Sequence, residues 1–235
     1  PWSAVCGLGI AVSGSFQSAG QFNTPLSLED WANCNVADDA AARLGMPVFA
    51  DNDGNAAALA EAMLGAGRTN PSIACIYIAA GVGGGVILDG APWRGRHGNA
   101  GEFAAGLQPG VNPFPSLELL RQVLATHGLA FETIDDMLAN YDPEWPSINE
   151  WIIRVRDSLS IIVSNIAGIL DVEAIVLGGR IPASLAERLA AQLVFFDQRR
   201  RDRPRPVPSI VPSLIGADSA AIGAAIMPIR SRFHV

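Results

Sequence analysis

An α/β fold with two sheet-centred lobes is predicted for this 235-residue chain by three observations. Short apolar runs that stop at glycine, asparagine or aspartate recur along it. Segments of helical composition or helical apolar spacing lie between those runs. A hydrophobic share of 49% against 17% charged residues supports a sizeable buried core and argues against disorder.

The elements follow in order. Val5–Val12 (VCGLGIAV) is an apolar run stopped by Ser13-Gly14-Ser15, and reads as a buried strand and turn. Leu28–Leu44 reads as helix with a break near Asn33–Asn35, and Pro47–Ala50 as a short strand ending at Asp51-Asn52-Asp53. Asn55–Leu64 has strong helix-forming composition, with Asn52 or Asp53 as its cap and Gly65 or Gly67 as its stop. Ser72–Ala79 is a fully buried strand, followed by Gly81–Gly85 and a returning strand Val86–Leu88, with Asp89-Gly90 as the next turn. Ser116–Thr126 and Ile148–Leu170 read as helices, the second from apolar residues at three- and four-residue steps. Ala174–Leu177 is a strand meeting Gly178-Gly179, Ala183–Phe195 a helix, and Val207–Pro212 extended. Ser219–Met227 is a small-residue helix suited to close packing. No internal repeat is present, and the polar stretch Arg68–Pro71 marks the expected division into residues 1–68 and 69–235.

Bulk properties exclude several classes. The longest apolar stretch, near Ser158–Leu170, is interrupted by Ser160, Ser164 and Asn165, too short and too polar to span a bilayer. No basic-then-apolar leader opens the chain, and its first residue, Pro1, leads us to expect an upstream segment. Cys6, Cys34 and Cys75 are far apart and odd in number, which fits a reducing cytoplasm better than a disulfide framework. A net charge of -7 disfavours direct contact of this module with nucleic-acid phosphates.

Four segments carry candidate chemistry. Asp51-Asn52-Asp53-Gly54-Asn55 joins a strand end to a helix start, where ligands of α/β folds tend to bind. Its carboxylates accept hydrogen bonds from sugar hydroxyls, and one could take a proton from an attacking hydroxyl. The local pattern alone favours the plainer reading, a helix cap in a polar turn. Gly81-Val82-Gly83-Gly84-Gly85 lets backbone N–H groups approach a phosphate or sugar, or makes a tight hairpin; it is neither a Walker A loop nor a dinucleotide fingerprint. Arg94–Glu102 (RGRHGNAGE) ends in a carboxylate that, alone, reads as a solvated loop residue, as does His97. Arg199, Arg200, Arg201, Arg203 and Arg205 form a basic run, a candidate phosphate- or DNA-binding patch, although Pro204 and Pro206 favour a solvated loop.

Together these segments resemble the ROK family of repressors and sugar kinases. Asp51–Asn55 with AAALAE is similar to its Asn-Asp-Ala-Asn-x-A-A-x-x-E segment, Ile78–Ile87 to its Gly-rich strand-turn-strand, and Arg94–Glu102 to its R-G-x-x-G-x-A-G-E loop. Gly7–Gly14, Asp171–Gly179 and Gly216–Ala225 resemble three further family segments, all in family order. The resemblance implies a two-lobed actin-like ATPase (ribonuclease H-like) fold with an incomplete N-terminal lobe. Residues 1–68 would be the remnant of that lobe and 69–235 the C-terminal lobe, with the last helix, about 217–228, packing back on the first. It implies a sugar in the cleft held by Asn52, Asp53, Glu102, Glu118, Gly81 and Gly83, and a homodimer. Asp53 would be the catalytic base in a kinase.

Departures from the pattern shape the functional expectation. The family's Asp-x-Gly-Gly-Thr phosphate loop has no counterpart here, and Ala79 and Ala80 replace the first Gly and the phosphate-contacting Thr of the Gly-rich turn. Ala105 replaces a zinc-ligating His, and Gly106–Ser116 (GLQPGVNPFPS) carries no Cys, so no metal is expected. Glu118 stands for the last Glu of that loop. The expected function is the sugar-sensing, dimerising module of a transcriptional regulator, cofactor-free, cytoplasmic and off the membrane, which touches DNA only through a segment absent from this chain. The alternative is a hexose kinase using ATP and Mg²⁺; a scaffold that binds nothing is a third reading.

Overall fold

The structure is a computed structural model that describes residues 4–17, 20–32, 34–196 and 205–233. The basic run is therefore outside the described residues except for Arg205, which donates to the Ala167 carbonyl. The chain opens with β1 (Leu8–Val12), a hairpin of β2 (Ser15–Phe16) and β3 (Phe22–Asn23), α1 (Glu29–Ala32), α2 (Val36–Leu44), β4 (Val48–Asn52) and α3 (Asp53–Leu64). It continues through β5 (Ile73–Ile78), β6 (Val82–Leu88), β7 (Ala91–Pro92), α4 (Leu117–Thr126), α5 (Ile134–Ala139) and α6 (Pro146–Ile169). Last come β8 (Ala174–Gly179), α7 (Ala183–Ala190), β9 (Ser209–Pro212) and α8 (Ser219–Phe233). None of the described helices is long and apolar enough to cross a membrane.

Strands β1 and β4 pair in parallel, with Val12 beside Asn52, so both carboxyl ends reach the same edge. The larger sheet has the order β7-β6-β5-β8-β9, with β5, β8 and β9 parallel and β6 antiparallel. Every residue of β5 and β8 is buried, as continuous apolar runs in a covered parallel sheet should be. One face of this sheet packs against α4, α6 and α7 around Ile76, Leu117, Trp151, Leu159 and Leu177. Pro146 starts α6, where its missing N–H costs nothing.

Helix α3 is buried from Gly54 to Glu61 and packs against β5, β6 and α8. Its small residues explain this placement, because only they let backbones come so close. A Cβ on Gly223 of α8 would sit 1.7 Å from the Ala56 carbonyl oxygen, and one on Gly9 of β1 1.8 Å from that of Ala224. Helix α8 thus rests on β1, β4 and α3, although it follows the larger sheet in sequence.

Two expectations are corrected. The hairpin reading of the glycine run holds, but its tight turn is Ala79–Gly81, closed by the Ala79 N–H on the Gly81 carbonyl, and Gly83–Gly85 lie inside β6. There a side chain on Gly84 or Gly85 would strike the Cys75 carbonyl or α3, so these two glycines serve packing. The helix expected over Ala183–Phe195 stops at Ala190, because Ser160 and Ser164 of α6 capture the N–H groups of Val194 and Phe196. The β2–β3 hairpin and α5, capped by Thr133, had no expected counterpart.

Candidate functional site

A cleft of about 400 Å³ opens where the carboxyl ends of β1, β4, β5 and β8 converge. Asn52, Asp53, Glu102, Gly81 and Gly83 all line it. Asn52 ends β4 in an extended conformation and caps α3, its Oδ1 accepting from the N–H groups of Gly54 (2.8 Å) and Asn55 (3.2 Å). Its Nδ2 donates to the Gly14 carbonyl at 2.9 Å. The helix-cap reading of Asn52 is therefore correct, and the cap is what aims the next residue into the cleft.

Asp53 begins α3. Its Oδ2 accepts from the Ser13 hydroxyl at 2.8 Å and its Oδ1 from the Gly54 N–H at 2.9 Å. Burial raises its pKa, and these hydrogen bonds oppose the rise without cancelling it. Beside it, Asp51 accepts a two-pronged contact from Arg94, at 2.8 Å from Nε and 2.5 Å from Nη2, which ties the Arg94–Glu102 loop to β4. Gly101, with φ of +110°, lets that loop lie on β6; a Cβ there would meet the Gly84 carbonyl oxygen at 2.4 Å. Glu102 follows, its pKa raised by burial and then by the charge of Asp53. Two carboxylates that feel one another across a cleft suit hydrogen bonding to a polyol.

Sequence reasoning missed three more lining residues: Ser13, Tyr77 and Arg180. The Tyr77 phenol is pushed up to about 12 by burial and by Asp53, against the opposing charge of Arg180. Arg180 pairs with Asp135 and directly follows Gly178-Gly179, so a cation just past a strand-ending glycine pair was the available signal. Glu118 is not brought to the cleft. It lies in the first turn of α4 and pairs with Arg121 at 2.8 Å, which holds its carboxyl below the usual range. A larger cavity, about 850 Å³, runs along the outer side of β4 between Phe16, Phe22, Phe49 and Met227, but holds none of the expected ligand residues. The loop that would carry a family zinc site presents Leu107, Pro109, Val111, Pro113 and Phe114 around a pocket. That donor set does not fit zinc.

The ROK family model matches residues 2–106. Those residues belong to the ROK family. An uncharacterized protein of Sinorhizobium fredii, y4fQ, is 30% identical over 232 residues, 97% of this chain and 58% of its own. The chain spans about half the length of the curated relatives it matches. A solved ROK family glucokinase from Streptomyces griseus, in complex with glucose and AMPPNP, superposes with a TM-score of 0.73 at 21% identity, covering 92% of this chain and 79% of the glucokinase. A ROK family transcriptional regulator, a homolog of the E. coli MLC protein, superposes with a TM-score of 0.63 at 21% identity, covering 94% and 61%. At these identities the likeness is one of fold: the chain carries the actin-like ATPase architecture of the ROK proteins.

Proposed function

We propose that this chain is the sugar-binding, effector-sensing and dimerising part of a ROK-type transcriptional regulator, and that a polyol is held between Asp53 and Glu102. The observation that carries the reading is the composition of the cleft. Its carboxylates stand with Ser13 and Asn52 as polar partners for hydroxyls, while the β5–β6 turn offers Ala79, Ala80 and Gly81, with no hydroxyl. Hydroxyl recognition needs the first set alone. Phosphoryl transfer also needs clamps on the transferred phosphate, and each lost donor costs rate. Sugar occupancy would be transmitted as a shift between arrangements of the two lobes or of two copies. DNA contact would fall to a part of the protein outside these residues, and a cytoplasmic location belongs to the same proposal. Isothermal titration against a panel of hexoses and their derivatives tests it. Saturable binding that Glu102→Gln weakens supports the reading; no binding across the panel overturns it.

The carboxylate of Asp53 at the cleft favours one other reading, a hexose kinase taking ATP and Mg²⁺, with Asp53 accepting the hydroxyl proton. A coupled ATPase assay on the full-length protein separates the two. Sugar-dependent turnover lost in Asp53→Asn would replace the regulator reading.

A further inference from the structure

Building on the sugar-binding reading, we propose that Asn99 is a positioning residue: its side-chain amide fastens the β2–β3 hairpin to the Arg94–Glu102 loop and so sets the spacing of Asp53 and Glu102. The R-G-x-x-G-x-A-G-E pattern leaves position 99 open, so the motif does not itself require an asparagine.

Asn99 Oδ1 accepts from the Phe16 N–H at 2.7 Å, and Nδ2 donates to the Phe16 carbonyl at 2.8 Å. A single side chain 83 positions away thus satisfies both backbone groups of one residue, as a neighbouring strand would. The Phe16 ring lies over Gly98 of the same loop, where a Cβ would come within 3.0 Å of it, and meets Phe22 edge-on at 5.8 Å between centroids. Residues 13–16 therefore form a strap with three fasteners. Ser13 holds Asp53, the Gly14 carbonyl holds Asn52, and Phe16 holds Asn99. Beyond the clip, the Glu102 N–H reaches the Asn99 carbonyl at 3.4 Å, so the last fastener is coupled to the second carboxylate. The strap is one hydrogen-bonded route from Asp53 to Glu102, on the opposite side of Asn52 from the Arg94–Asp51 tie in sequence, and Asn99 closes it.

The test uses Asn99→Ala and Asn99→Asp in this chain, with Arg96→Ala in the same loop as control. Hydrogen exchange at residues 13–16, the carbon-detected titration of the Glu102 carboxyl, and sugar affinity are measured. Losing two hydrogen bonds should raise Phe16 exchange by about tenfold, with β5 and β8 unaffected. The Glu102 titration should move down toward the ordinary carboxylate value as Asp53 recedes, a change that a purely structural role would not produce. Affinity for whichever hexose the wild type binds should fall by about tenfold. Asn99→Asp keeps an acceptor for the Phe16 N–H but sets an oxygen against the Phe16 carbonyl, so it should fail in the same direction despite its matched size. Unchanged exchange in both variants, or raised exchange with an unmoved Glu102 titration, overturns the proposal. A wild type that binds no sugar yet shows both effects defeats the sugar-binding function and leaves the clip standing.

Discussion

Replacing Glu61 by alanine should unfold this protein far more readily than its position outside the cleft suggests. Glu61 is 2% exposed, and its two oxygens serve four donors. Oε1 accepts from the Ser213 hydroxyl at 2.5 Å and from the N–H groups of Leu214 at 3.1 Å and Ile215 at 3.3 Å; Oε2 accepts from the Ala66 N–H at 3.1 Å. The carboxylate thus ties the end of α3 to the loop between β9 and α8. A buried donor left without a partner costs about 1–3 kcal/mol. Ala66 is buried and bears the full cost, half-buried Ser213 and Ile215 bear part of it, and the amide of exposed Leu214 can rehydrate. Together these give about 3–5 kcal/mol for Glu61→Ala, or a fall in Tm of roughly 10 °C for a chain of this size. Urea unfolding followed by circular dichroism reads it as a lower midpoint at unchanged slope. Glu61→Gln keeps one acceptor and turns an amide toward the Ala66 N–H, so it should lose about 1–3 kcal/mol. A Glu61→Ala protein within about 1 kcal/mol of wild type would refute the reasoning.

Other perturbations have defined signs. Burial raises the pKa of Asp53 in the folded state, so its contribution is fully present below the unfolded pKa and lost as pH rises through the folded value. Asp53→Asn should therefore be more stable than wild type at neutral pH, with the gain vanishing in acid, while sugar binding is lost; Tm measured against pH for the pair checks this. Gly223→Ala drives a methyl to 1.7 Å from the Ala56 carbonyl oxygen, and should cost roughly 3 kcal/mol or more or abolish folding, read by expression and thermal melting. Cys75 is buried, and burial holds its thiol well above the usual value, whereas Cys6 and Cys34 are partly exposed. Ellman's reagent should therefore label two thiols in the native protein and the third only on unfolding.

What the amino-acid sequence determined by itself was chemistry settled among neighbouring residues. Asp89-Gly90 forms the turn after β6 with both φ angles positive, Asn52 caps α3, and the unbroken apolar runs became the buried parallel strands. Each depends on a few adjacent side chains, so each was legible. The tertiary structure decided which distant residues share the cleft. Ser13, Tyr77 and Arg180 come from three separate strand ends, and Glu118, close to Glu102 in sequence, is turned away to Arg121. The length of α7 was decided the same way, by serines of α6 rather than by its own composition. The β2–β3 hairpin has too few residues to show a two-residue alternation, and it is held by Asn99 across 83 positions. Hydrogen bonds and packing between segments far apart in the chain carry no local periodicity, and only the folded arrangement brings them together.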